Sequence, residues 1–267
     1  MITAKKTIWS LVSLMIGFIT FMFMSARGRN VIFHNMKIKD DSLADKKMSV
    51  FFISDIHRRK IDEKLLAKVQ SSQKIDLVII GGDLAERGVP LTRITENIRK
   101  LAQLGPLFYV WGNNDREAGE EEIRGIINRY GGKILDNESV GIPGHSQWGI
   151  GGTDDPSSRN VDIESTLRYI EQYENVILVT HTPSIFKKIE QFYQPRLMLA
   201  GHTHGGQIRF GKYGLQERGE FRLEKGRAKL VSNGYGTSTL PLRLGAKPEC
   251  HVIVINYGES VLKECSD

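Results

Sequence analysis

Between residues 48 and 201 the chain repeats one pattern: a short run of consecutive apolar residues, a stop at a polar residue or glycine, then a stretch of helical spacing. Ser49-Val50-Phe51-Phe52-Ile53-Ser54 stops at Asp55, and helical spacing follows over 62–71. Leu77-Val78-Ile79-Ile80 stops at Gly81-Gly82-Asp83 before a helical stretch at 91–104. Leu107-Phe108-Tyr109-Val110-Trp111 stops at Gly112-Asn113 before another at 120–130. An apolar run without alternation is covered on both faces, and strands that alternate with helices join through right-handed crossovers. The pattern predicts an α/β fold.

After residue 130 the pattern loosens to strand candidates at Ile134-Leu135 and Gly149-Ile150 among glycine-rich turns. It then returns, with a helix over 163–172, a strand over 176–180 ending at His181-Thr182-Pro183, and a helix to 191 that carries Pro183 in its first turn. The strand Leu197-Met198-Leu199-Ala200 delivers Gly201-His202-Thr203-His204-Gly205-Gly206. Strand candidates at 229–232, 251–256 and 260–263 read as a second, more antiparallel sheet.

The residues at the stops are Asp55 and His57, Asp83, Asn113, His181, and His202 with His204. Open α/β sheets place ligands just past the carboxyl ends of their strands, so five strands bring seven nitrogen and oxygen donors to one edge. Four of the seven histidines of the chain are in this set; His34, His145 and His251 have no such context and read as structural or merely exposed. Imidazole and carboxylate without sulfur suit first-row ions such as Mn, Fe or Zn. Asp83, with two oxygens, can bridge two cations roughly 3.5–4 Å apart. Glycines around the two last histidines allow close backbone approach.

A second feature lies upstream. Residues 7–26 carry no charge over 20 residues, enough as a helix to cross roughly 30 Å of hydrocarbon. They read as a membrane anchor, against a cleaved signal peptide or a buried core helix, because the run is long for a signal and Met24-Ser25-Ala26 is a poor cleavage site. Residues 27–47 read as a basic, irregular juxtamembrane linker, and 48–267 as the catalytic domain. Of the net charge of +6, residues 1–47 hold +5, with eight Lys/Arg against three Asp, and the remainder only +1. A nearly neutral domain argues against a nucleic-acid partner. Six Lys/Arg beyond the run, against Lys5 and Lys6 before it, favour a cytoplasmic domain.

Asp55-x-His57, Gly82-Asp83, Gly112-Asn113, His181 and Gly201-His202-x-His204 together resemble the calcineurin-like metallophosphoesterases, over about residues 48–257. The longer motif Gly201 to Gln207, with Leu240-Pro241-Leu242-Arg243-Leu244-Gly245, resembles the bacterial membrane-associated branch. The resemblance implies two facing mixed β-sheets flanked by helices. It also implies one metal on Asp55, His57 and His204, another on Asn113, His181 and His202, and Asp83 between them. Two cations sharing a water lower its pKa enough to supply hydroxide near neutral pH for in-line attack on phosphorus. Many members carry His after the third-block Asn; here Asn114 stands there, and it can hydrogen-bond a phosphoryl oxygen but cannot donate a net proton.

Cys250 and Cys265 fit no metal spacing, though a hairpin turning at Tyr257-Gly258 would set them opposite one another. The expected activity is hydrolysis of a phosphodiester or phosphoanhydride, in a phosphorylated small molecule or lipid, at the membrane. A non-catalytic interaction module of the same fold is the alternative, favoured by Asn114 and opposed by the complete donor set. A soluble cyclic-nucleotide phosphodiesterase is set back by the anchor.

Overall fold

The computed structural model describes residues 2–38 and 47–258. It opens with helix α1 (Ile2–Ser25) and strand β1 (Asn30–Ile38), followed by β2 (Lys47–Ile53), α2 (Glu63–Gln70), β3 (Leu77–Gly81), α3 (Leu91–Ala102), β4 (Leu107–Val110), α4 (Asp115–Arg129) and β5 (Lys133–Ile134). Next come β6 (Glu138–Ile142), β7 (His145–Gly152), α5 (Ile163–Leu167), β8 (Asn175–Val179), α6 (Ile185–Ile189) and β9 (Leu197–Ala200). A small hairpin of β10 (Arg209–Phe210) and β11 (Tyr213–Gly214) precedes β12 (Glu220–Glu224), β13 (Arg227–Val231) and β14 (Glu249–Tyr257).

Two six-stranded sheets result, in the orders β1-β14-β2-β3-β4-β5 and β12-β13-β9-β8-β7-β6. The period of two along each strand sorts the apolar runs into layers. In β2, Val50 and Phe52 face the space between the sheets, where they join Ile79, Phe108, Ile177, Leu199 and Ile253. Phe51 and Ile53 face outward onto Leu65, Ile94, Ile98 and Ile123 of α2, α3 and α4. On the far side, Leu178, Met198 and Ala200 pack on Ile185, Phe186 and Ile189 of α6. This is an αββα sandwich, two mixed sheets with helices outside.

Three features differ from the sequence reading. Residues 30–38, expected within an irregular linker, form β1, paired in parallel with β14 from Asn30↔Glu249 to Ile38↔Tyr257; the alternation that buries Met36 and Ile38 is visible only once β14 supplies a face. β14 itself, assigned to the second sheet, is a central strand of the first, antiparallel to β2. Both its edges are taken by β1 and β2, so the hairpin register proposed for the cysteines has no vacant edge. Cys250 is buried with a free thiol, and Cys265 and the strand candidate at 260–263 lie outside the described residues. Finally, α4 begins at Asp115 rather than 120, because Gly119 at φ 124° breaks the helical spacing inside it.

Candidate metal centre

The ends of β2, β3 and β4 in one sheet and of β8 and β9 in the other meet at a common edge, stitched by short backbone bonds. Asp55 N donates to Gly82 O at 3.0 Å, Ile56 N to Asp83 O at 2.7 Å, and Gly201 N to His181 O at 3.0 Å. Across the sheets, His202 N donates to both carboxylate oxygens of Asp55, at 3.0 and 3.2 Å. Five of the seven expected donors are held at positive φ: Asp55 (54°), His57 (51°), Asp83 (50°), His202 (70°) and His204 (49°). Left-handed backbone at a non-glycine residue is uncommon and concentrates at functional sites, where surrounding structure sustains it.

All seven side chains converge. Ligand atoms of Asp55, His57 and His204 lie within 4.8 Å of one another, as do those of Asp55, Asp83 and His181. His57 Nε2 is 3.1 Å from His204 Nε2, and His204 Nε2 is 3.4 Å from Asp55 Oδ1. In the other half, Asn113 Oδ1 is 2.9 Å from His202 Nδ1 and 3.2 Å from His181 Nε2. Between the halves stands Asp83, whose Oδ2 is 3.6 Å from His57 Nε2 and 3.4 Å from His181 Nε2. His202 is exposed at the mouth, while Asp55, His57, Asp83 and His181 are buried.

The remaining ring nitrogens are tied back. His181 Nδ1 lies 2.9 Å from Gly81 O; a carbonyl only accepts, so Nδ1 carries a proton and Nε2 is the ring nitrogen that faces the site. His57 Nδ1 lies 3.1 Å from Glu86 Oε2, at ion-pair distance but out of line for a full hydrogen bond. His204 Nδ1 is 3.2 Å from Nη2 of Arg243, a wholly buried guanidinium that also donates to the carbonyls of His204, Asn233, Gly234, Gly236 and Ala246. Ser54 Oγ donates to Asp55 Oδ2 at 2.5 Å. Asp115, fully buried, accepts from the N–H groups of Asp83, Ala85 and Gly112 at 2.8, 3.0 and 2.8 Å, so it fixes the loops that carry Asp83 and Asn113.

Electrostatics follow from this crowding. Burial alone would depress His181, but the Asp83 carboxylate outweighs it and raises the imidazole to about 10. Burial likewise opposes ionisation of Asp83, yet His181 and His57 hold its pKa well below the carboxylate range. Burial lowers His204 to about 4. Asp115 is pushed up to about 6 by burial and then by the charge of Asp83, against the pull of its N–H donors.

Whether cations fit can be judged from the donor set. Pairs of imidazole nitrogens face each other at 3.1 and 3.2 Å, beside a carboxamide oxygen and two carboxylates. Lone pairs so converged repel unless a proton or a cation sits among them, and divalent ions take such nitrogen and oxygen donors. The backbone keeps the space clear. A Cβ at Gly112 would strike Asp83, and one at Gly234, held at φ 73°, would strike Asp55.

The sequence reading named all seven converging residues. It missed Glu86, Asp115 and Arg243 as supports; Asp115 followed directly on Asn113-Asn114, and Arg243 was the lone charge in Leu240-Pro241-Leu242-Arg243-Leu244, which were the available signals. Asn114 precedes α4 without a side-chain capping bond, donating from its backbone N–H to Asp83 Oδ1 at 2.9 Å and from Nδ2 to Oδ2 at 2.7 Å. Its amide is therefore engaged on Asp83, with one N–H left for another acceptor.

An αββα sandwich with this donor cluster at one edge defines a metal-dependent phosphoesterase. The chain belongs to the family described as calcineurin-like phosphoesterase, whose model matches residues 48–206. Among its relatives is a Bacillus subtilis protein, YpbG, 43% identical over 88% of this chain and 90% of that one. Another from the same organism, the metallophosphoesterase YkoQ, is 28% identical over 87% and 93%. The Escherichia coli phosphodiesterase YaeI is 26% identical over 67% and 68%.

Proposed function

We propose that the protein is a membrane-anchored, two-metal phosphohydrolase acting on a phosphodiester or phosphoanhydride. Asp55, His57 and His204 would hold one ion, Asn113, His181 and His202 the other, and Asp83 both. The observation that carries this is the position of Asp83, within 3.6 Å of His57 and 3.4 Å of His181, one from each half of the cluster. Divalent ions held by these residues would supply acidification of bound water and neutralisation of phosphoryl oxygens. The chain does the rest: Gly81 O orients the His181 imidazole, Arg243 holds the backbone of His204 through its carbonyl, Asn114 and Asp115 set Asp83 and its loop, and His202 marks the side from which substrate enters. Mn, Fe and Zn all suit the donors.

Anchoring is supported by α1, whose segment Lys5–Ser25 is long and apolar enough to cross a membrane and is almost wholly exposed. Trp9, Leu14 and Phe21 are 69%, 71% and 59% exposed, which a chain surrounded by water has no means of offsetting. The excess of Lys and Arg beyond the helix favours the cytoplasmic side for the domain. Full-length protein in detergent, assayed against phosphomonoesters, diesters and anhydrides with Mn, Fe or Zn added, tests the reading. Metal-dependent turnover of diesters or anhydrides is expected; two bound metals without turnover of any member of the panel would refute it.

A further inference from the structure

Outside α1, several large apolar side chains are exposed beside the metal centre. Phe210 is 67% exposed, Tyr213 71%, Leu215 93% and Leu240 54%. The first three belong to the β10–β11 hairpin and its exit, which follow the His202–His204 loop, and the fourth to segment 237–245, which follows β13. They are joined. Gln207 Nε2 donates to Ser238 O and Leu240 O at 3.0 and 3.1 Å, and Arg209 N donates to Leu244 O at 2.8 Å. The hairpin is also braced from within, since the buried Arg209 donates to the carbonyls of Gly205, Gly211, Lys212 and Gln216. Apolar groups are thus held outward by a built scaffold, with the Lys212 ammonium over the Tyr213 ring at 5.4 Å.

The same segment receives α1. Arg243 N donates to Met22 O at 3.1 Å, and Arg59 donates to Arg27 O and Gly28 O at 2.9 and 2.5 Å. A cleft at this junction is lined by Phe23, Ala26, Arg27, Gly236, Thr237 and Pro241. Met22 and Ala26 are buried, so the domain grips the helix before the uncharged run at 7–26 has ended. Residues 7–21 remain, which at 1.5 Å per residue cover roughly 22 Å of a hydrocarbon core about 30 Å thick. No spacer separates bilayer from domain, and the membrane boundary must meet the face that carries segment 237–245.

We infer that Phe210, Tyr213, Leu215 and Leu240 form an apolar rim that seats in the interfacial layer of the lipid bilayer and holds the mouth of the metal centre against the headgroups. This rests on the anchor reading above. Aromatic and aliphatic side chains with a neighbouring cation are the composition that such a layer accepts. The phosphates presented to the site would then be those carried by membrane amphiphiles.

The test is fluorescence quenching of the full-length protein in bilayers of lipids brominated along the acyl chain. Trp9 in the unsubstituted protein reports the anchor; Trp111 and Trp148 are 0% and 1% exposed and give a constant background. In a Trp9→Phe background, Leu215→Trp and, separately, Leu240→Trp report the rim, and Phe192→Trp, exposed ahead of β9 at the opposite edge of the sheet, serves as the control. Loss of most of the added emission is expected at 215 and 240, with none at 192. Trp9 quenched while both rim tryptophans keep their emission overturns the rim and leaves the anchor standing. Trp9 unquenched overturns the anchor and the rim together.

Discussion

Asn114 holds Asp83 by two hydrogen bonds, backbone N–H to Oδ1 at 2.9 Å and amide Nδ2–H to Oδ2 at 2.7 Å. One residue thereby satisfies both oxygens of the carboxylate that stands between the two halves of the cluster. The position read from sequence as contacting substrate is, in the structure, also a support of the site.

Asn114→Ala is therefore expected to weaken metal binding on the order of 10–100-fold, the usual effect of losing a partner that orients a ligand. Metal titration of the purified protein by calorimetry measures it. Unchanged affinity would mean that the backbone bond alone suffices to set Asp83.

Asp83→Asn removes the charge shared by the two halves. Metal content, by elemental analysis, and hydrolysis of an activated diester should fall together, and chelation of the wild type should abolish turnover until metal is returned. Full activity in chelated protein with no transition metal detected would sink the two-metal assignment.

The β-α-β part of the fold and the convergence of the seven side chains were legible in the sequence for one reason. Strands buried on both faces leave continuous apolar runs, and their carboxyl ends are where polar residues are tolerated only for use. β1 was not legible, because Asn30–Ile38 alternates Met36 and Ile38 with Asn35 and Lys37 and becomes a strand only against β14, over two hundred residues away. Arg243 was hidden at shorter range, 3 to 39 residues from its partners: nothing in Leu242-Arg243-Leu244 says that its guanidinium will be enclosed among five carbonyl-bearing residues beside His204. Long-range pairing carries no local periodicity.

Arg243→Lys tests that enclosure. An ammonium is a compact donor without the planar fork, so several buried carbonyls lose their partners at about 1–3 kcal/mol each before relaxation. The urea midpoint should drop by several tenths of its wild-type value or more, with activity reduced because His204 loses its brace. A midpoint equal to wild type would show that the carbonyls find other donors.

His251 gives a pH prediction away from the metal centre. Burial, and then the neighbouring His34, lower it to about 3 from an ordinary 6.5; burial lowers His34 to about 4. Their ring nitrogens are 3.0 Å apart, His251 Nε2 is 3.0 Å from Ser232 Oγ, and the Glu249 carboxylate faces it at 3.5 Å. The folded pKa is the lower one, so its contribution to stability is complete above 6.5 and is lost as pH falls from there toward 3. A few kcal/mol at most is involved, at about 1.4 kcal/mol per unit. With a chelator present throughout, His251→Leu should be less stable than wild type at pH 8 yet lose less between pH 6.5 and 4. Parallel stability curves would remove His251 from the acid response.

The reaction itself is tested at position 114 through the leaving group. Asn114 cannot supply a net proton, so the rate should depend steeply on leaving-group pKa, and activated aryl diesters should be cleaved far faster than alkyl ones. Asn114→His places a titratable ring where the resemblance to the family implies one, and general-acid help is typically 10²–10⁴-fold. The same change also removes the Nδ2 bond to Asp83, so the proper baseline is Asn114→Ala, which lacks that bond and has no acid. At saturating metal, the ratio of His to Ala variants isolates the proton donor, and it should rise as the leaving group worsens. A ratio that stays constant across the series would show that position 114 does not face the departing oxygen, leaving its bonds to Asp83 as its whole role.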